Sequence, residues 1–442
     1  MPGSRRDRLI ALDPVRPVVI IKFDHNPLHH GTLGAVRSLG RAGVPVHLVH
    51  ESRGLPAGRS RYVRSEHAWP ATLSGPGEAV AVLTGLAAHI EGRPIVLAAD
   101  DAGAIFLSEQ AEGLVGAYDF PRQPPPLARS LIDKHSVATL CAAAGVAHPQ
   151  TIRPRSWDDL VSAEPPGGRW PVVLKRVAPW TEPSVPGLPS TRMIADRAHL
   201  ARLAELATDA DPGLLLQEYL PPSPDGDWFF HGYYAGGGVL IFAGTGLKRR
   251  SWPAYTGLTV LGEIAPNPQV HAQADALLRA VGYVGLVDVD LRHDPRTGRF
   301  HVLDVNPRMG AQHSLFRSAE GLDLVRALHL DLTGRPVPAA RAPAGRTFLV
   351  ENLEPRAARR YLRDGTLDAA GWWRSLRSVD ELAWFAGDDL RPFAAMLGRS
   401  VHEGMQRRIP ALRHRSPVPL PAVATSAAPP VVPSSGPPDG LR

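Results

Sequence analysis

Gly285-Leu-Val-Asp-Val-Asp-Leu-Arg-His-Asp-Pro-Arg-Thr-Gly-Arg-Phe-His-Val-Leu-Asp-Val-Asn-Pro-Arg308 contains two alternating runs around Asp294-Pro-Arg-Thr-Gly298, a turn by composition. Strand period two sets Asp288 and Asp290 on one face, with Val287, Val289 and Leu291 on the other. In the second run Asp304, Asn306 and Arg308 share a face, while Leu303 and Val305 point opposite. A hairpin symmetric about Thr297 sets Asp290 across from Asp304 and Asp288 across from Asn306. Directly opposed carboxylates about 5 Å apart destabilise a sheet unless something neutralises them. A hard divalent cation does so, and Mg²⁺ is commonly held by one or two carboxylates together with substrate phosphates. The rival reading, a solvated face of ordinary acids, does not need Asn306-Pro307-Arg308 directly after it. A metal–phosphate hairpin is the expectation.

Working outward, strand-like stretches fall around 172–174, 214–217, 228–234 and 239–244, with helical spacing at 198–208 and 269–281. This mixture is α+β. A proline cluster at 121–126 marks a boundary, and 127–144 reads as one helix ended by Gly145. Before it the chain changes character. Residues 17–23 and 46–50 read as buried parallel strands, with a helix from Leu33 to about Ala42 between them. A helix over 79–90 and a strand over 94–98 complete a doubly wound α/β pattern. Gly31 and Gly34 do not make the dinucleotide fingerprint, and no acid stands at the ribose position, so a nicotinamide cofactor is not expected. Downstream, helix patterns lie around 354–364 and 372–384. The expected organisation is a doubly wound domain (17–125), a mixed domain (126–335), a small mainly helical extension (344–410) and a disordered Pro/Ala/Ser-rich tail (417–442), with a loose arm over 1–16.

Composition bounds the function. The 442 residues are 44% hydrophobic and 21% charged, ordinary for a globular protein of several domains. No apolar run is long enough to span a membrane, and the short apolar stretch near the N-terminus makes no signal-peptide core. Cys141 is the sole cysteine, which excludes an internal disulfide or a multi-cysteine zinc site, and its apolar helical setting reads as core. The net charge of +6 comes from scattered arginines without interleaved aromatics, so nucleic acid is not an expected partner. The expected location is the cytoplasm.

Only four of the 49 cationic residues are lysine: Lys22, Lys134, Lys175 and Lys248. Where arginine serves almost everywhere, surviving lysines should be enriched at places where a compact ammonium cannot be replaced by a planar guanidinium, with chance retention as the competing reading. Three of the four recur in a resemblance. With the acidic hairpin, Leu131-Ile-Asp-Lys-His135, Pro171-Val-Val-Leu-Lys175 and Gly246-Leu-Lys-Arg-Arg250 make residues 17–335 resemble the ATP-grasp superfamily. The branch it resembles most is that of carbamoyl-phosphate-synthase-like and D-aspartate-ligase-like carboxylate–amine ligases.

The resemblance implies a doubly wound domain ahead of a two-lobed ATP-grasp domain. It implies ATP and Mg²⁺ as cofactors, with Mn²⁺ as an alternative ion held by Asp290, Asp304 and Asn306. Lys134 and Lys175 would contact ATP phosphates, and Lys248 and Arg308 would act at the transferred phosphoryl group. The strand Leu214-Leu-Leu-Gln-Glu-Tyr-Leu220 would read adenine through the Glu218 and Leu220 backbone, with Tyr219 between them and Gln217 or Glu218 taking the amino group. Asp227 would hold the ribose. For Glu218 the competing reading is a strand-end salt bridge. Two departures stand out: both metal carboxylates are Asp where Glu is commoner, and the segment after Lys175 lacks a glycine-rich flap, leaving Pro186-Gly-Leu-Pro189 to serve.

The implied reaction activates a carboxylate as an acylphosphate, which an amine then attacks; the substrates are small molecules, and a homo-oligomer is compatible. Substrate selection is expected in His25-Asn26-Pro27-Leu28-His29-His30, a loop ending a parallel strand where open α/β sheets present ligands. Adjacent histidines rarely ligate one ion without distant partners, so hydrogen bonding to substrate is the preferred role for His29 and His30. Gly310, Gln312 and His313 are further substrate candidates. Two rivals remain: a bicarbonate-using carboxylase or carbamoyl-phosphate-type enzyme, for which no biotin-carrier or glutaminase signature is present, and a non-catalytic ATP-binding regulatory module.

Overall fold

The computed structural model describes residues 10–70, 73–177, 185–223 and 225–406. The tail from Pro417, most of the N-terminal arm and residues 178–184 of the expected flap region lie outside them. Among the described residues no helix is long and apolar enough to cross a membrane.

The chain opens with β1 (Val18–Ile21), α1 (His30–Arg41), β2 (Val46–His50), β3 (Val63–Ala68), α2 (Pro76–Ala87), β4 (Ile95–Ala98), α3 (Asp101–Glu109) and α4 (Ala111–Leu114). Their strands form a parallel sheet in the order β3-β2-β1-β4. All four residues of β1 are buried, as a strand covered on both faces requires. Helix α1 begins at His30, three residues earlier than expected, because the His29 side chain accepts from Thr32 N and caps it. Strand β3 (VRSEHA) and α3 were not anticipated. β3 is only partly buried and carries no apolar alternation, and α3 is announced only by Asp100, whose carboxylate accepts from Gly103 N.

Next come α5 (Pro125–Ile132), α6 (Lys134–Ala143), β5 (Thr151–Ile152), α7 (Trp157–Ser162), β6 (Val172–Arg176), β7 (Thr191–Ile194), α8 (Arg197–Ala204) and β8 (Leu214–Glu218). The single helix expected over 127–144 is two. Asp133 takes an extended backbone and accepts from Ser136 N at 2.8 Å, ending α5 and capping α6. The short strands make a four-stranded antiparallel sheet, β5-β8-β6-β7, with α7 and α8 closing its own core around Leu160, Val172, Leu200 and Leu216.

The largest sheet is built from β9 (Asp227–Ala235), β10 (Val239–Trp252), β11 (Leu258–Ile264), β12 (Gly285–Asp294) and β13 (Arg299–Asn306), with α9 (Pro268–Ala280) between β11 and β12. It is completed by β14 (Thr347–Leu349) and β15 (Glu381–Leu382), around which lie α10 (Leu324–Leu332), α11 (Glu354–Arg363), α12 (Ala369–Arg377) and α13 (Arg391–Gln406). Its order is β13-β12-β9-β10-β11-β14-β15. Alternation along β9 sends Phe230 and Tyr234 to a core shared with α5, α6 and α9, where Cys141 is buried, and Phe229 and Tyr233 to the opposite core. That second core is continuous with Val18 and Ile20 of the first sheet, with Leu33 of α1, and with Trp384 and Met396. The segment expected as a mainly helical extension therefore also supplies two strands to the large sheet, and α12 stops at Arg377 so that Glu381 can pair with Phe348.

In the hairpin, Asp290 pairs with Asp304 and Asp288 with Asn306, as expected, but for another reason. Next to the turn the pairs are Asp294 with Arg299 and Leu291 with Val302, one residue off the symmetry about Thr297. A β-bulge at Leu303 restores the expected pairing beyond it. The bulge also corrects the face assignment: Val302 joins Val305 in the core, and Leu303 is only partly buried.

Candidate active site

The two opposed aspartates are neutralised by lysines from different elements. Lys134, at the first position of α6, forms an ion pair with Asp304. Lys248, on β10, crosses β9 to place Nζ 2.7 Å from Asp290 Oδ2. Arg308 donates through Nη2 to Asn306 Oδ1 at 3.1 Å and through Nε to Asp101 Oδ1 at 2.8 Å. Asp101 opens α3 at the carboxyl end of β4, so the first sheet closes one side of the site. The ammonium of Lys175, on β6 of the small sheet, has no hydrogen bond or ion pair to a described residue. Burial, with Lys134 and Arg292 adding repulsion, pushes its ammonium down to about 7. Burial likewise lowers Lys134 to about 8, although Asp101 and Asp290 pull it upward. At Lys248 the carboxylate of Asp290 outweighs burial, and its pKa is raised. The three lysines, Arg308 and the hairpin acids are thus brought together from α6, the small sheet and the large sheet.

Several partners were not foreseen. Arg292 clamps Asp227 through Nε (2.6 Å) and Nη2 (3.0 Å), and donates through Nη1 to the Leu220 carbonyl at 3.1 Å. Asp227, expected at a ribose, has both oxygens on this guanidinium. Gln217 is buried and donates to Thr151 Oγ1 at 3.1 Å across the β5–β8 pair, so its amide serves the sheet. The Glu218 amide donates to the Gln150 carbonyl at 2.8 Å, and its carboxylate meets Arg296 at 2.7 Å. The strand-end salt bridge is the form it takes. Tyr219 follows, half-buried.

The first-sheet loop divides differently from the expectation. His25 and Asn26 are exposed, and Asn26 Oδ1 accepts from Leu28 N at 3.1 Å, closing a local turn. His29 Nδ1 caps α1 and contacts Thr32 Oγ1 at 2.8 Å. His30 is buried beside Phe348 and Trp384. His313 Nε2 lies 3.1 Å from the Gly31 carbonyl, also buried. Burial lowers both His30 and His313 to about 4, so these imidazoles are neutral groups of the seam between the first and the large sheet. Gln312 is buried and donates to Thr259 Oγ1 at 3.4 Å. Gly310 lies against the His231 ring, and a Cβ there would come within 2.8 Å of Asp288 Cβ. Pro186-Gly-Leu-Pro189 forms a turn closed by Leu188 N to the Val185 carbonyl at 3.1 Å, with Val185 and Leu188 anchored in the small-sheet core.

Whether the hairpin suits a divalent cation is decided by its oxygens. Among the described residues no group of three or more His, Cys, Asp or Glu side chains forms a ready-made metal cage. Two facing carboxylates and an amide oxygen remain, and Asp290 Oδ1 is buried with no hydrogen-bond partner among the described residues. An all-oxygen set of this size fits an ion that takes its other ligands from phosphate and water.

Residues 266–331 match the family model described as carbamoyl-phosphate synthase L chain, ATP binding domain. No curated protein matches the chain in sequence. Among solved structures the chain is similar to an L-amino acid ligase from Bacillus licheniformis (TM-score 0.54, 14% identity, 72% of this chain and 75% of that one). It is also similar to an N5-carboxyaminoimidazole ribonucleotide synthetase in complex with ADP (0.55, 13%, 77% and 81%). A third is the biotin carboxylase from Campylobacter jejuni (0.53, 15%, 74% and 73%). At these identities the likeness is one of fold: the chain folds as these ATP-grasp proteins do.

Proposed function

We propose that the chain is an ATP-dependent carboxylate–amine ligase that joins an amino acid or small peptide to an amine through an acylphosphate. In this reading residues 17–125 are the domain ahead of the ATP-grasp domain (126–335). The observation that carries it is the convergence of Lys134, Lys248 and Arg308 on Asp304, Asp290 and Asn306, with Lys175 facing the same space from the small sheet.

The nucleotide lies between the small sheet and the hairpin. Lys134 and Lys175 bind its phosphate oxygens, and the β8 segment, braced by Arg292 at Leu220, flanks the base. Asp290, Asp304 and Asn306 would hold Mg²⁺, which when bound neutralises phosphate charge. A substrate carboxylate oxygen attacks the γ-phosphorus, the bond to ADP breaks, and Lys248 and Arg308 stabilise the charge on the transferred group. The amine then forms the C–N bond as phosphate leaves with the C–O bonding pair, and the proton lost from the nitrogen ends on the departing phosphate. Low ammonium pKa values at Lys134 and Lys175 mark sites where positive charge is costly until an anion arrives.

The test is ADP release by the full-length protein with Mg-ATP and a pool of amino acids. Amino-acid-dependent release is expected. Dependence on bicarbonate instead would favour a carboxylase or carbamoyl-phosphate-type enzyme. ATP binding without turnover would favour a regulatory module.

A further inference from the structure

The charges of the site pair off with one carboxylate and one ammonium left at opposite ends. Lys134 takes Asp304, Lys248 takes Asp290, Arg308 takes Asp101, and Arg292 takes Asp227. Lys175 is left at the small-sheet side, and Asp288 is left at the inner end of the hairpin. Asp288 has a side chain only 8% exposed, and its Oδ1 makes no hydrogen bond in the described structure. The nearest full charge, Arg308 Nη1, is 3.9 Å from Oδ2 and already serves Asp101. His231, fully buried on β9 directly across from Asp288, sets Nε2 3.2 Å from Oδ1, and neither of its ring nitrogens has another partner among the described residues. The Gly310 backbone lies over this pair, where any side chain would overlap the imidazole.

We infer that Asp288 is the anchor for the positively charged ammonium group of the second substrate, with His231 and Gly310 packed against it as the wall behind the carboxylate. Lys175 is the complementary end, open to the polyanion. An ammonium suits a single buried carboxylate whose nearest guanidinium, Arg308, is engaged with Asp101, whereas a second divalent ion needs a cage of ligands that is not formed among the described residues. Burial sharpens the selection, since a carboxylate removed from water favours a cation over a neutral isostere. The assignment rests on the ligase reading and narrows its acceptor to amines that dock as ammonium and give up one proton to solvent before the nitrogen's lone pair attacks.

Two measurements test it. In ADP-release assays with the amino-acid pool, Asp288→Asn is expected to raise the KM for the pool about tenfold or more while the ATP KM moves less than about twofold; Asp288→Glu, which keeps the charge, should recover most of the loss. An unchanged pool KM overturns the anchor, and so does a rise in the Mg²⁺ requirement in step with it, which would make Asp288 a metal ligand. The second measurement needs neither turnover nor a folded variant: methylammonium chloride should raise the melting temperature of the wild-type protein more than sodium chloride at equal ionic strength, and methanol should not. Equal effects of the two salts overturn the anchor. Stabilisation by methylammonium in a protein that releases no ADP would retain it and contradict the ligase reading instead.

Discussion

Lys175 is the residue whose chemistry is most exposed to test. It is buried and repelled by Lys134 and Arg292, an arrangement that costs stability unless an anion is bound. Lys175→Arg should lower kcat/KM for ATP about tenfold or more, although arginine replaces lysine nearly everywhere else in this chain, because a guanidinium fork does not fit where a point charge is required. Unchanged steady-state constants would show that the scarcity of lysine carries no functional meaning. Asp304→Asn is expected to cut ADP release by roughly 100-fold while leaving the melting temperature close to wild type, since relief of its repulsion with Asp290 offsets the ion pair lost to Lys134. Wild-type release at ordinary magnesium would remove Asp304 from the metal set. At this scale the sequence was informative where rarity or pattern singled residues out: the three lysines and the hairpin acids all reach one space. It was silent on Asp101, Arg292 and His231, because their partners lie on other elements and no spacing reveals a contact made only by folding.

At the level of elements, the sequence showed the hairpin but not how its register is achieved. The turn spans one residue fewer than symmetry about Thr297 assumes, and the bulge at Leu303 puts the aspartates back in opposition. Composition marks a turn, but a bulge depends on which of two apolar neighbours the core accepts, here Val302 rather than Leu303. The break at Asp133 is a similar case. Apolar spacing runs through it, yet the capping carboxylate stops one helix and starts the next, which sets Lys134 at a helix start facing Asp304. The His29–His30 loop was read for its chemistry when its first role is structural. His29→Ala should therefore cost roughly 1 kcal/mol in urea unfolding through loss of the α1 cap. An unchanged unfolding midpoint, with a raised substrate KM, would return the loop to substrate recognition.

For the molecule as a whole, the seam between the first sheet and the large sheet carries a pH dependence. His30 and His313 are buried in it, and His47 lies on β2; burial lowers each from 6.5 to about 4. The unfolded chain therefore binds protons that the folded chain excludes between these values. Stability contributed by the neutral rings is fully present above about pH 6.5 and is lost as pH falls toward 4. Thermal unfolding of the full-length protein should show a falling melting temperature over that window, less steep in a His30→Phe variant. A flat profile would mean the imidazoles are not buried as described. The sequence announced both α/β halves but not that they share one core, because which apolar faces meet is decided by long-range packing that periodicity does not encode.

Transfer of oxygen tests the central claim most directly. With an amino-acid pool labelled with ¹⁸O in its carboxylates, Mg-ATP and the wild-type protein, each phosphate released with ADP should carry one ¹⁸O atom, because the carboxylate oxygen that attacks the γ-phosphorus leaves with it. ADP released with unlabelled phosphate would mean that water, not a substrate carboxylate, attacks, and the ligase account would be wrong.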